Sequence, residues 1–171
     1  MPEPERSMEA IRPEDLQRLA EMAFEDQATF FRHYPDIAAI YRDRLLCVAL
    51  CQGAALHYVD RTNGIKDFDV WSFYLEAATR PFPRRRPGVS RDFGDPRFGR
   101  SPDAPEFRGR RVDIFVKSFE ASDGMPFDAA VRQYLRSGRT PSARFLAQKA
   151  VIVLYPTEWR GRVLWPVQGG A

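Results

Sequence analysis

Apolar positions along this chain follow two periods. Between Pro13 and Pro35, Leu16, Leu19, Ala20, Ala23, Phe24, Phe30 and Phe31 recur at helical spacing. Pro13 suits a first turn, where its missing N–H is not needed, and Glu14 and Asp15 favour the positive end of the helix. A second short helix is expected around Ile37 to Arg44. Leu45 to Cys51 is apolar throughout, which predicts a buried strand, although so short a run also suits a helix. Gly53 follows, and Ala54 to Val59 can begin another helix. After the turn signal Thr62-Asn63-Gly64, the stretch from Ile65 to Leu75 alternates with a period of two, as a strand does. Arg111 to Lys117 alternates in the same way around Asp113. Phe127 to Leu135 reads as a helix stopped at Ser137-Gly138, and Thr140 caps a short helix running to Gln148. Ala150 to Tyr155 is a further buried strand, and Val163 to Trp165 a final edge strand. The order predicts an α/β (α+β) fold, a mixed sheet of four to five strands with flanking helices.

One segment breaks the pattern. Prolines 81, 83, 87, 96, 102 and 105 exclude regular elements, and ten arginines lie from Arg80 to Arg111. A loop of that length is usually functional or disordered. Residues 1–10 read as a flexible tail and 11–171 as a single domain, with this Pro/Arg-rich insertion at about 80–110.

Composition narrows the class. Apolar residues make up 44 % of 171, enough for a real core and too many for a disordered chain. The longest apolar run is far short of the ~20 residues that span a bilayer, and Met1 to Arg6 carries acids and prolines rather than a leader. Cys47 and Cys51 are too far apart along one strand for a disulfide, and only His33 and His57 remain to complete a zinc site. Buried thiols imply a reducing compartment, so the expected location is cytoplasmic. The net charge of +3 is mild, and lysine occurs only at 66, 117 and 149. Such an arginine bias commonly follows genome composition, so it is no RNA-binding signature by itself.

Asp67-Phe68-Asp69-Val70 carries the candidate chemistry. In a strand the two carboxylates share one face with Cα atoms roughly 6.6 Å apart. They repel unless a cation sits between them. Asp113, flanked by Val112 and Ile114, lies in the next strand of this kind, so in-register pairing would bring three carboxylates together. Hard oxygen ligands in a rigid array suit Mg²⁺ and two-metal phosphoryl transfer. Simpler roles compete. A lone Asp-x-Asp on a strand is often a solvated face, and Arg110 or Arg111 offers Asp113 a plain ion pair. Lys66 points away from the acids, turn chemistry explains Thr62 and Asn63, and His57 reads as structural rather than catalytic. Trp71, Phe73 and Tyr74 read as core, although an aromatic near the site can stack on a base. Arg84, Arg85 and Arg86 are candidates to clamp a triphosphate or a nucleic-acid backbone; the alternative is a solvated loop.

These residues resemble the nucleotidyltransferase superfamily, which shares the polymerase-beta-like palm. Its pattern is an apolar strand, a Gly followed by Gly or Ser opening a helix, acid-apolar-acid on a second strand, and a third acid later. Leu45 to Cys51, Gly53-Ala54, Asp67-Phe68-Asp69 and Asp113 follow that order over residues 45–117. The resemblance implies that Asp67 and Asp69 hold Mg²⁺, with two ions possible, and that Asp113 completes the site or deprotonates the acceptor. It implies that Gly53 and Ala54 lie at the nucleotide. Ala54 lacks the hydroxyl of the family's Ser, and Gln52 stands where an apolar residue is usual. The implied activity is transfer of NMP from an NTP to an acceptor hydroxyl on a small molecule, protein or RNA. The alternative is a catalytically inactive module of this fold that binds RNA or a partner protein through its arginine-rich loop. Minimal members often act beside a helical partner protein. A nuclease would leave the Gly53 turn without purpose, and no Ser-His-Asp arrangement stands out.

Overall fold

The computed structural model describes residues 5–84 and 89–166. Strands β1 (Leu45–Cys51), β2 (Phe68–Leu75), β3 (Val89–Asp92), β4 (Arg111–Phe119), β5 (Ala150–Tyr155) and β6 (Val163–Trp165) form one mixed sheet in the order β3-β4-β2-β1-β5-β6. Only β2 and β4 run parallel; the other neighbouring pairs are antiparallel. Five α-helices accompany them among the described residues: α1 (Pro13–His33), α2 (Pro35–Tyr41), α3 (Gln52–Asp60), α4 (Phe127–Ser137) and α5 (Pro141–Leu146).

Both faces of the central strands are covered, which explains why β1 and β5 are apolar throughout. On one face Val48, Leu50, Phe68, Val70, Val112 and Ile152 pack against Leu16, Leu19 and Ala23 of α1 and Ala54 and Ala55 of α3. On the other, Cys47, Ala49, Cys51, Trp71, Phe73 and Val153 meet Val131 and Leu135 of α4 and Leu146 of α5. Fully burying each large apolar side chain contributes about 1.5–3 kcal/mol. Cys47 and Cys51 are free thiols inside this second layer. A third cluster, with Phe31, Tyr41, Tyr74 and Phe82, closes the far end.

The sheet has six strands rather than the four to five expected, because β3 lies inside the proline-rich segment. Val-Ser-Arg-Asp has one apolar residue and sits at the sheet edge, so it carries little hydrophobic signal. The prolines do not exclude regular elements there: β3 and a 3₁₀ turn at Pro96–Phe98 both form. The rest of the segment, from Phe93 to Arg110, keeps many exposed side chains but is anchored by specific bonds and by buried Phe93, Phe98 and Ala104. Asp92 accepts from the backbone N–H groups of Gly94, Arg108 and Gly109 at 2.8–2.9 Å. Phe93 and Phe98 pack on Phe68 with ring centroids 5.3 and 5.2 Å away. No helix among the described residues is long and apolar enough to cross a membrane.

The connection from β1 to β2 is equally determined. Asp60 Oδ1 accepts from Thr62 N and Asn63 N, and Asn63 Nδ2 donates to the carbonyls of Gly53 and Gly64. His57 is buried. Its Nδ1 accepts from Gly64 N, so its Nε2 carries the proton and donates to Glu9 O at 3.1 Å. His57 is therefore a neutral brace, matching its structural reading. Ser7 pairs with Ile65 just ahead of Asp67. These bonds fix where the acids begin.

Candidate metal centre

Asp67 lies one residue before β2, and Asp69 within it. The register of β2 on β4 places Asp69 directly opposite Asp113. Alternation puts Asp67, Asp69 and Asp113 on the α4/α5 side of the sheet, away from Phe68, Val70, Val112 and Ile114. Each of the three acids offers a ligand atom, and these atoms lie within 4.8 Å of one another. The three residues predicted from sequence are thus brought together by one parallel strand pair.

Three carboxylates this close perturb each other. Burial pushes the Asp69 carboxyl up to about 7, with the charges of Asp67 and Asp113 adding to it. Asp67 is raised for the same reasons, burial first and Asp113 second, against the opposing charge of Arg111. Such a site is short of positive charge. All-oxygen donors in a rigid array fit a hard divalent cation, so Asp67, Asp69 and Asp113 are positioned where they could bind a metal ion.

Arg111 is the counter-charge present. Its Nη2 lies 3.0 Å from Asp67 Oδ2, its Nε 3.2 Å from Asp113 Oδ1, and its Nη1 2.6 Å from Asp103 Oδ2. Of the two arginines considered for Asp113, Arg111 makes the pair. Arg110 turns to the opposite face and is buried, with its guanidinium on the carbonyls of Phe98, Glu5 and Lys66. Asp113 Oδ1 also accepts from Ser90 Oγ at 2.7 Å. Sequence reasoning missed Ser90, because only the pairing Ser90↔Asp113 across β3 and β4 brings it in.

Gly53 and Ala54 occupy the start of α3, which follows directly on Cys51, the register partner of Asp69. The helix therefore opens beside the acids. Ala54 faces the core and is buried, so its methyl is packing rather than lining. Gln52 makes the sharp turn from strand to helix at φ 61°, a left-handed conformation uncommon without glycine. Its Nε2 reaches Phe145 O of α5 at 3.3 Å, tying the two helices. Arg84 lies beyond the acids along β4, on the rim of a cleft with Phe115 and Lys117. Arg85 and Arg86 lie outside the described residues. Of the other arginines in the segment, Arg80, Arg91 and Arg97 pair with Asp36, Asp26 and Asp15.

Comparison with protein-family models, curated proteins and solved structures found no match to this chain.

Proposed function

We propose that this protein is a metal-dependent nucleotidyltransferase of the polymerase-beta-like type, moving NMP from an NTP to an acceptor hydroxyl. The observation that carries the reading is the in-register meeting of Asp69 and Asp113, with Asp67 beside them and the N-terminus of α3 opening next to the row. Asp67, Asp69 and Asp113 would hold Mg²⁺, which when bound neutralises charge on the triphosphate and the departing pyrophosphate. The N–H groups at the start of α3 favour an anion, and the triphosphate would lie between them and the acids. Asp113, which accepts from Ser90, would complete the metal site or take the acceptor's proton. The acceptor oxygen then bonds to the α-phosphorus as the bond to pyrophosphate breaks. Loss of the family's hydroxyl at Ala54 leaves the backbone of α3 as the phosphate donor there.

The rival, an inactive module that binds RNA or a partner protein through the arginine loop, has less support. Arg80, Arg91, Arg97, Arg110 and Arg111 are engaged with acids and carbonyls of this same chain.

Thermal unfolding with each NTP, with and without Mg²⁺, tests the reading on wild type and Asp67→Asn/Asp69→Asn. Ligand at 100 times its dissociation constant adds about 2.7 kcal/mol, or roughly 5–10 °C for a chain this size. A Mg²⁺-dependent rise absent from the variant is expected. No rise with any NTP at saturation, in folded wild type, would refute the transferase reading.

A further inference from the structure

Beyond the acids, on the same face of the sheet, lies a cleft whose wall begins two residues farther along the strands, at Trp71 and Phe115. Along β2, Asp69 is followed on the same face by Trp71 and Phe73; along β4, Asp113 is followed by Phe115 and Lys117. The register pairs Asp69 with Asp113, Trp71 with Phe115, and Phe73 with Lys117. One step of two residues, roughly 6.6 Å, therefore separates the carboxylates from an aromatic pair. That is the scale of a sugar between a phosphate or hydroxyl and its base.

The pair forms part of the wall of a cleft of about 530 Å³, within the range of small-ligand sites. Trp71 and Phe115 stack on each other at 4.8 Å. Across from the sheet, α5 contributes Phe145, an exposed aromatic at 52 %. Trp71 is 8 % exposed, and its Nε1–H has no hydrogen-bond partner among the described residues. A buried donor left without an acceptor costs about 1–3 kcal/mol unless something supplies one. Lys117 and Arg84 stand in the lining against the single carboxylate of Glu76, which already accepts from Ser118 Oγ. A neighbouring concavity shares Lys117 and adds Arg136 and Arg139. Aromatic rings flanked by cations, with Asp69 and Asp113 one step away along the strands, match a nucleotide laid base-to-ring with its phosphate on the basic side.

We propose that this cleft is the acceptor subsite and that the acceptor is a nucleotide. Its base lies against Trp71, Phe115 and Phe145, its phosphate faces Lys117 and Arg84, and its hydroxyl points to Asp113. The role in transfer rests on the reading above; the binding itself does not need metal.

Calorimetric titration of the four ribonucleoside 5′-monophosphates in EDTA tests it. At least one is expected to bind wild type, and Phe145→Ala to weaken it about ten-fold, the usual loss of one stacking partner. Because Phe145 is half exposed, that variant should keep the wild-type melting temperature and Mn²⁺ affinity. Lys117→Met should weaken the monophosphate but not the matching nucleoside. Absence of binding by all four, or equal binding by Phe145→Ala, overturns the proposal even where Mn²⁺ binds. Failure of wild type to bind Mn²⁺ overturns the metal reading instead. Adding Mg²⁺ and a saturating α,β-methylene NTP should leave the monophosphate bound; its displacement would assign the cleft to the donor's base and overturn the acceptor assignment. A free nucleotide and the last nucleotide of a strand present the same groups. Tighter binding of a trinucleotide supports a strand end, and equal binding a free nucleotide.

Discussion

Arg111 occupies the position from which a cation would neutralise Asp67 and Asp113, and Asp103 holds its other side. A metal ion bound there would compete with a resident guanidinium that Asp103 also holds. Arg111→Gln is expected to tighten Mn²⁺ binding about ten-fold at pH 8, since a positive charge close to two ligands is removed. The same variant should lose about 2 kcal/mol of metal-free stability, because partly buried carboxylates lose their partner. Calorimetry and urea unfolding in EDTA measure the two, and looser Mn²⁺ binding would contradict the assignment. Asp69 gives a second residue-scale expectation. Its folded value of about 7 lies above the unfolded one, so the folded state holds the extra proton between them. Metal-free stability should consequently fall as pH rises from about 4 to 7, by about 3 kcal/mol between pH 5 and 8. Asp69→Asn should flatten that fall. A wild-type profile that rises with pH over this window in EDTA, or one that Asp69→Asn leaves unchanged, would show that the acid is not held protonated.

At the scale of elements, the strand pair β2/β4 and the loop after β3 set the site. Arg110 is buried, with its guanidinium donating to the carbonyls of Phe98, Glu5 and Lys66. Arg110→Met should cost about 3 kcal/mol by leaving those acceptors unpaired. Gly109→Ala should cost about 2 kcal/mol, because a Cβ there would come 2.6 Å from the Asp95 carbonyl oxygen. Urea unfolding checks both, and wild-type stability in either would mean the loop is not part of the folded unit. This loop marks the limit of what the sequence discloses. β1, β5 and β6 announce themselves through apolar runs, and their bounds coincide with those read from the chain. The three acids were legible because alternation put them on one face. β3 was not, since its pairing with β4 rests on backbone bonds of an edge strand. Nor does any local pattern distinguish Arg110, which turns inward, from Arg111, which reaches the acids. Neighbouring arginines on a strand take opposite faces, and only the register decides what each face meets.

Across the whole molecule, the three acids lie on the sheet face that α4 and α5 cover, and α1 and α3 pack on the other. The row from Ser90 through Asp113 and Asp69 to Cys51 crosses four strands, and α3 starts where that row ends. Farther along the same face lie the aromatic wall and Lys117. Acids and cleft thus follow one another along one face of the sheet, with α3 starting where the row of paired residues ends. All of it depends on the three carboxylates binding a divalent cation. The most direct measurement is a calorimetric titration of Mn²⁺ into wild type, Asp69→Asn and Asp113→Asn at pH 8, with circular dichroism confirming that each is folded. Saturable binding to wild type is expected, and its loss, by at least ten-fold in affinity, in both variants. Folded wild type that binds no Mn²⁺, or variants that bind it as well as wild type, would contradict the assignment of this site.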